Sequence, residues 1–228
     1  VGFQNISADV IFGIPGQSLN EWLETLEAVT SIGILHLSAY SLKVEEGTVL
    51  HHWKEQGRLR EMEDELEREL YHKGIEFLES QGYLQYEISN FAQPGYESKH
   101  NLNYWMNGSY IGCGNGAYSY YNRVRRGNIE GIEEYIKALE NGHSVLAYEE
   151  VADNETEIFD TLMLGFRLKK GVRKEDFSKR FGFNLKERYY KEIEMLKSQG
   201  LLLEDDQYIY PTPLGFDFQN QIALTFLK

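Results

Sequence analysis

The strongest constraint on this chain lies in its first 42 residues, where two strand-like runs flank one short helical pattern. Residues 5–14, NISADVIFGI, end in an apolar stretch stopped by Pro15-Gly16, and residues 34–42, ILHLSAYSL, form a second such run. Between them Leu19, Trp22, Leu23, Leu26 and Val29 recur at helical spacing. Ser18 precedes them and Glu21 follows it by three residues, the pattern of a capping box. Strand, helix and strand at this length predict a βαβ unit, which requires a parallel sheet. Two parallel strands cannot make a domain. The pattern therefore predicts that earlier strands precede Val1 and that the chain, which opens without Met, is a C-terminal fragment. It also predicts an open sheet edge at 5–14, through which two copies could self-associate.

Farther along, Glu61 to Ser80 reads as a charged helix with Met62, Leu66, Leu70 and Phe77/Leu78 inside. Tyr83 to Asn90 alternates like a strand, and HNLNYWM (100–106) and AYSYYNR (117–123) read as strand-like pieces around Gly112, Gly114 and Gly116. Ile129 to Leu139 reads as a helix. The character changes near 150. A helix is predicted through Ile158, Phe159, Leu162, Met163 and Phe166 to Lys170, stopped by Gly171. A short helix around Phe177 and Phe181 follows, then one capped by Asn184, two strands (LLLE and YIYPT), and a last helix from Thr212-Pro213. The fold class expected is α/β in two domains. Residues 1–150 would form the sheet-bearing part, and 151–228 a small winged-helix-like α+β domain. Phe159, Leu162, Met163, Phe166, Phe177, Ile193 and Leu196 are its predicted core, with a two-stranded hairpin as its only sheet.

Composition narrows function. The net charge is −13, which argues against a nucleic-acid partner. Lys186, Arg188, Lys191 and Lys197 on the predicted third helix of the second domain are interleaved with Glu187, Glu192 and Glu194, so no phosphate footprint emerges there. Cys113 is the one cysteine. It excludes an internal disulfide framework and an all-cysteine metal cage, and it suits a reducing, cytoplasmic setting. No apolar run approaches the roughly 20 residues of a transmembrane segment.

Three places could carry chemistry. Asp9 stands near the carboxyl end of a predicted parallel strand, where ligands of such sheets sit; a carboxylate there can accept from ribose hydroxyls or an ammonium group, or simply bond its own turn. His100 opens HNLNYW. An imidazole ligates haem iron well and Tyr and Trp rings can flank a porphyrin, although a loop histidine beside core aromatics has the same pattern. Gly112, Gly114 and Gly116 form GCGNG, which permits close backbone approach but lacks dinucleotide spacing; tight turns, with Cys113 as a small hydrophobe, read better.

Taken in order, NISADVIFGIPGQS, HLSAYSLKVEEGT, QGYLQYEISNFAQPG, HNLNYW, YIGCGNGAYS and EIFDTLMLGFRLKKG resemble one family over nearly the whole chain. It is the oxygen-independent coproporphyrinogen III oxidase-like branch of the radical SAM enzymes, and HNLNYW is similar to a motif of its haem chaperone subgroup. The resemblance implies a partial (β/α) barrel whose last strands are 5–14 and 34–42. It implies S-adenosylmethionine contacts at Asp9, Tyr40 and Ser41. It further implies a haem site at His100, a candidate iron ligand, with Asn101, Tyr104 and Trp105 beside it. The family's CxxxCxxC motif, which ligates a [4Fe–4S] cluster, is absent, and so is the Gly-rich second-strand segment. Both would lie before Val1, so this chain alone would not cleave S-adenosylmethionine. The function implied is haem binding and delivery to a recipient haem protein in the cytoplasm, peripheral to the membrane if attached at all. Two alternatives stand beside it: radical decarboxylation of coproporphyrinogen propionates, and a non-enzymatic interaction module.

Overall fold

The βαβ unit forms as its pattern predicts: β1 (Ser7–Phe12), α1 (Leu19–Ser31) and β2 (His36–Ser41). The two strands run parallel, with Ser7 opposite His36 and Asp9 opposite Ser38. The capping box closes in both directions. The Glu21 amide donates to Ser18 Oγ at 3.3 Å, and the Ser18 amide donates to Glu21 Oε2 at 2.8 Å. The Ser18 amide and hydroxyl both donate to the Glu21 carboxylate and hold it below its ordinary pKa. The computed structural model describes residues 2–227, and its contacts divide the chain into two units, one ending at Ser98 and one beginning at Lys99. The boundary near 150, read from the change of pattern there, falls inside the second unit.

In the first unit α2 (Val49–Glu55) and α3 (Asp64–Ser80) follow β2, and the short strands β3 (Leu84–Gln85) and β4 (Asn90–Ala92) complete a sheet of order β1-β2-β4-β3. Among the described residues β1 pairs only with β2. The strand expected over 83–90 is interrupted. The buried Glu87 carboxylate accepts from the Asn90 side chain and the Ser89 amide, and this bonded turn breaks the ladder. Val10, Phe12, Leu37 and Phe91 pack with Trp22, Leu26, Leu70 and Leu78 into one core. Leu66 is exposed, contrary to expectation, and the inner stripe of α3 runs through Leu70, Gly74 and Leu78. Gly74 is there for Trp22: a Cβ would stand 2.8 Å from its indole Nε1, which donates to the Leu70 carbonyl.

The second unit opens with α4 (Lys99–Trp105), so HNLNYW is a helix and not the strand its aromatics suggest. Next come β5 (Tyr118–Tyr121), β6 (Val124–Asn128), α5 (Ile132–Glu140) and β7 (Leu146–Val151), the strands forming an antiparallel sheet of order β5-β6-β7. Beyond it lie α6 (Asn154–Gly165), β8 (Val172–Arg173), α7 (Lys174–Phe181), α8 (Leu185–Arg188) and α9 (Tyr190–Ser198). The hairpin β9 (Leu202–Glu204) and β10 (Tyr208–Pro211) precedes α10 (Pro213–Asp217) and α11 (Gln219–Thr225). The core holds Leu162, Phe166, Phe177, Ile193 and Leu196 as predicted, but Phe159 and Met163 are half-buried and lie outside it. Two further corrections apply. The helix expected to reach Lys170 ends at Gly165, and the hairpin gains a third strand, order β8-β10-β9. Gly171 makes that strand fit. At φ 68° a Cβ there would stand 2.1 Å from the Ile209 carbonyl oxygen, so only glycine lets the chain approach β10 closely enough to pair.

Candidate functional site

In the first unit, strand alternation sorts β1 and β2 into two faces. Val10, Phe12, Leu37 and Ala39 enter the core, whereas Ser7, Asp9, His36, Ser38 and Tyr40 occupy the opposite face with Asn90 of β4 beside Ser38. Asp9 is exposed and Tyr40 is 42% exposed, so this polar face carries two of the three expected S-adenosylmethionine contacts. Ser41 does not join them. Being one residue on, it turns toward α3, and its hydroxyl donates to Glu67.

The same face holds groups that sequence patterning missed. His36 is buried, with Nδ1 2.9 Å from Ser7 Oγ and Nε2 2.7 Å from the Tyr86 hydroxyl. Burial lowers its pKa, and the nearby Asp9 carboxylate opposes that. Asn90 Oδ1 is buried without a hydrogen-bond partner, an acceptor facing this polar row. A histidine in an apolar run carries no sequence mark of such a role; the register with Ser7 creates it.

In the second unit the helical form of HNLNYW decides which motif residues meet. His100 and Tyr104 stand one turn apart with ring centroids 4.6 Å apart, edge to face. Tyr104 meets Tyr110 edge-on at 4.5 Å, and Tyr110 bridges to Tyr120 through paired backbone bonds of 2.7 and 2.9 Å. His100 lies exposed at the outer end of this aromatic row. The strand-like piece that the sequence suggests from His100 onward is absent, and His100 stands on the first turn of a helix. Asn101 and Trp105 form the other i, i+4 pair and are half-buried. Arg167 lies over the Trp105 ring at 5.4 Å, and Trp105 Nε1 is a buried donor with no acceptor. An exposed imidazole, a row of rings and an unspent indole donor suit a flat ligand that carries a metal and acidic arms.

GCGNG is a packed turn. The Gly112 amide donates to Ser119 Oγ at 3.0 Å and the Gly116 amide to the Ile129 carbonyl at 2.8 Å, so these amides are already used. Cys113 is exposed, not a small buried hydrophobe. Among the described residues no three His, Cys, Asp or Glu side chains converge on a metal position. With a single cysteine, the residues present do not fit a [4Fe–4S] cluster.

A family model described as the HemN C-terminal domain matches residues 152–218. The chain is 34% identical over 226 residues to "Heme chaperone HemW" of Lactococcus lactis subsp. lactis (strain IL1403), covering 99% of this chain and 59% of that protein. It is 36% identical over 228 residues to "Heme chaperone HemW" of Bacillus subtilis (strain 168), covering 100% of this chain and 60% of the relative. The chain thus spans about 60% of the length of these curated relatives. A solved structure, "Coproporphyrinogen III oxidase (HemN) from Escherichia coli is a Radical SAM enzyme", superposes on the whole chain and 56% of its own with a TM-score of 0.78 at 16% identity, a likeness of fold. The chain is thus similar from end to end to proteins named heme chaperones, and its residues 152–218 match the HemN C-terminal domain model.

Proposed function

We propose that the protein to which this chain belongs binds haem and delivers it to a recipient haem protein. The observation that carries this reading is end-to-end similarity to proteins named heme chaperones, in a chain whose HNLNYW helix holds an exposed histidine above a row of rings. His100 is the proposed axial ligand to the iron. Tyr104 supports its ring, and Asn101 and Trp105 line the site, the indole N–H being free to donate to the porphyrin periphery. On the polar face of the first unit, Asp9 and Tyr40 are the proposed contacts for S-adenosylmethionine, the carboxylate accepting from ribose hydroxyls or the ammonium group. The [4Fe–4S] cluster of the family is not assigned to residues of this chain. No described helix is long and apolar enough to cross a membrane; the proposed setting is the cytoplasm, with any membrane attachment peripheral. Self-association along the β1 edge is a further proposal, and sedimentation across a concentration series tests it.

The test of the haem reading is titration of the chain and its His100→Ala variant with haem, followed in the Soret region. A weakened complex with a shifted Soret band is expected in the variant. An identical spectrum and affinity would remove His100 as the ligand.

A further inference from the structure

The second unit contains a cavity of about 310 Å³ beside the β5–β6 turn, the start of α6 and the chain between α7 and α8. Three guanidinium groups, of Arg123, Arg180 and Arg188, line it together with two carboxylates, of Glu155 and Glu157. Both carboxylates are already engaged. Buried Glu157 accepts from the Tyr120 hydroxyl and from Arg180, and Glu155 takes Arg188 on both oxygens at 2.6 Å. Among the described residues no carboxylate lies within ion-pair distance of Arg123, although its charge reaches Asp153; its Nη2 donates to the Ala152 carbonyl at 3.1 Å. Among the groups that line the cavity, three guanidiniums thus face two carboxylates, and exposed Arg123 keeps spare donors, as does the buried Arg188 Nε.

The backbone draws attention to the same residue independently. Asn122 and Arg123 are the two central residues of the β5–β6 turn, at φ 51° and 65°. Two positive φ values define a type I′ turn, whose second position favours glycine. An arginine held in the left-handed region carries a conformational cost that glycine avoids, and such residues collect where the side chain has a use. Phe181 and Phe183 supply an apolar wall, and Arg188 stacks on Phe183 at 4.7 Å.

We propose that this cavity is a carboxylate subsite, in which Arg123 takes a short alkyl carboxylate whose stem lies along Phe181 and Phe183. A single-charge imbalance suits one carboxylate, and the volume suits a side arm and not a macrocycle. The haem reading supplies a source for it, since haem carries two propionate arms. The HNLNYW helix is tied to the cavity wall: Asn103 donates to the Ser109 carbonyl at 3.1 Å, and Arg180 donates to the carbonyls of Met106 and Asn107 at 3.3 and 3.0 Å. The identity of the carboxylate rests on the haem reading; the cavity's chemistry does not.

The test compares haem with haem dimethyl ester, whose arms are uncharged, on the chain and its Arg123→Gly variant. Glycine suits the turn, so the variant folds and lost binding is not lost structure. The chain is expected to bind haem at least tenfold more tightly than the ester, and Arg123→Gly to bind the two alike. A second arm titrates sodium propionate and follows the arginine Nε–Hε resonances. If haem binding ignores Arg123, or the chain binds no haem, a saturable propionate shift that disappears in Arg123→Gly upholds the subsite with a free carboxylate as its occupant. Failure of both arms overturns the subsite, while His100-dependent haem binding would still stand by itself.

Discussion

Glu204 sits among three ammonium groups, with Lys174 at 3.2 Å, Lys186 at 2.9 Å and Lys197 at 3.0 Å. Burial pushes its carboxyl up, but the lysines outweigh that and hold it at about 2. The folded chain thus keeps this group ionised at pH values where the unfolded chain, near the ordinary 4.5, has taken up a proton. The stabilisation is complete above about 4.5 and declines as pH falls toward 2. Glu204→Gln is expected to cost about 1–3 kcal/mol at neutral pH. In urea unfolding at several pH values the gap from the parent should close as pH drops; a constant gap would contradict the ion-pair account. Arg123 offers the opposite sign. Replacing it with glycine relieves a left-handed residue and is expected to raise stability by about 1 kcal/mol, read as a higher midpoint in urea.

Among the elements, α1 and α3 show how much was readable beforehand. The α1 cap and apolar face were visible in Ser18, Glu21, Trp22 and Leu26 because capping and helical period are local properties. The glycine at 74 was not, because its role depends on a tryptophan 52 positions away in the chain. Gly74→Ala gains helix propensity but drives a methyl into Trp22, which is 1% exposed and pinned by its own hydrogen bond. A net loss of about 1–2 kcal/mol is expected by chemical denaturation; a stabilised variant would mean that the indole moves freely. The α4 helix was missed for a related reason. Tyr, Trp and Asn favour strands, turns or caps over helix interiors, and local preference gave no helix. Packing against α6 and the bond from Asn103 to Ser109 override it.

For the whole molecule, each unit has its own core, and the second is drawn entirely from residues 158–226. Residues 99–228 alone are therefore expected to unfold in one cooperative transition with helical circular dichroism; a non-cooperative melt would show that this core is insufficient. The βαβ start, the caps, the C-terminal helices and the β9–β10 hairpin were legible in the sequence, because each rests on spacing within about 20 residues. So was the placement of Asp9 on a parallel strand. Tertiary structure alone decided the rest. It set which way Ser41 turned, buried His36 between Ser7 and Tyr86, and added β8 at Gly171. It also gathered Arg123, Arg180 and Arg188 around one cavity. The reason is physical: periodicity records which face of an element is apolar, whereas register and close approach depend on partners far away in the chain, which leave no local mark.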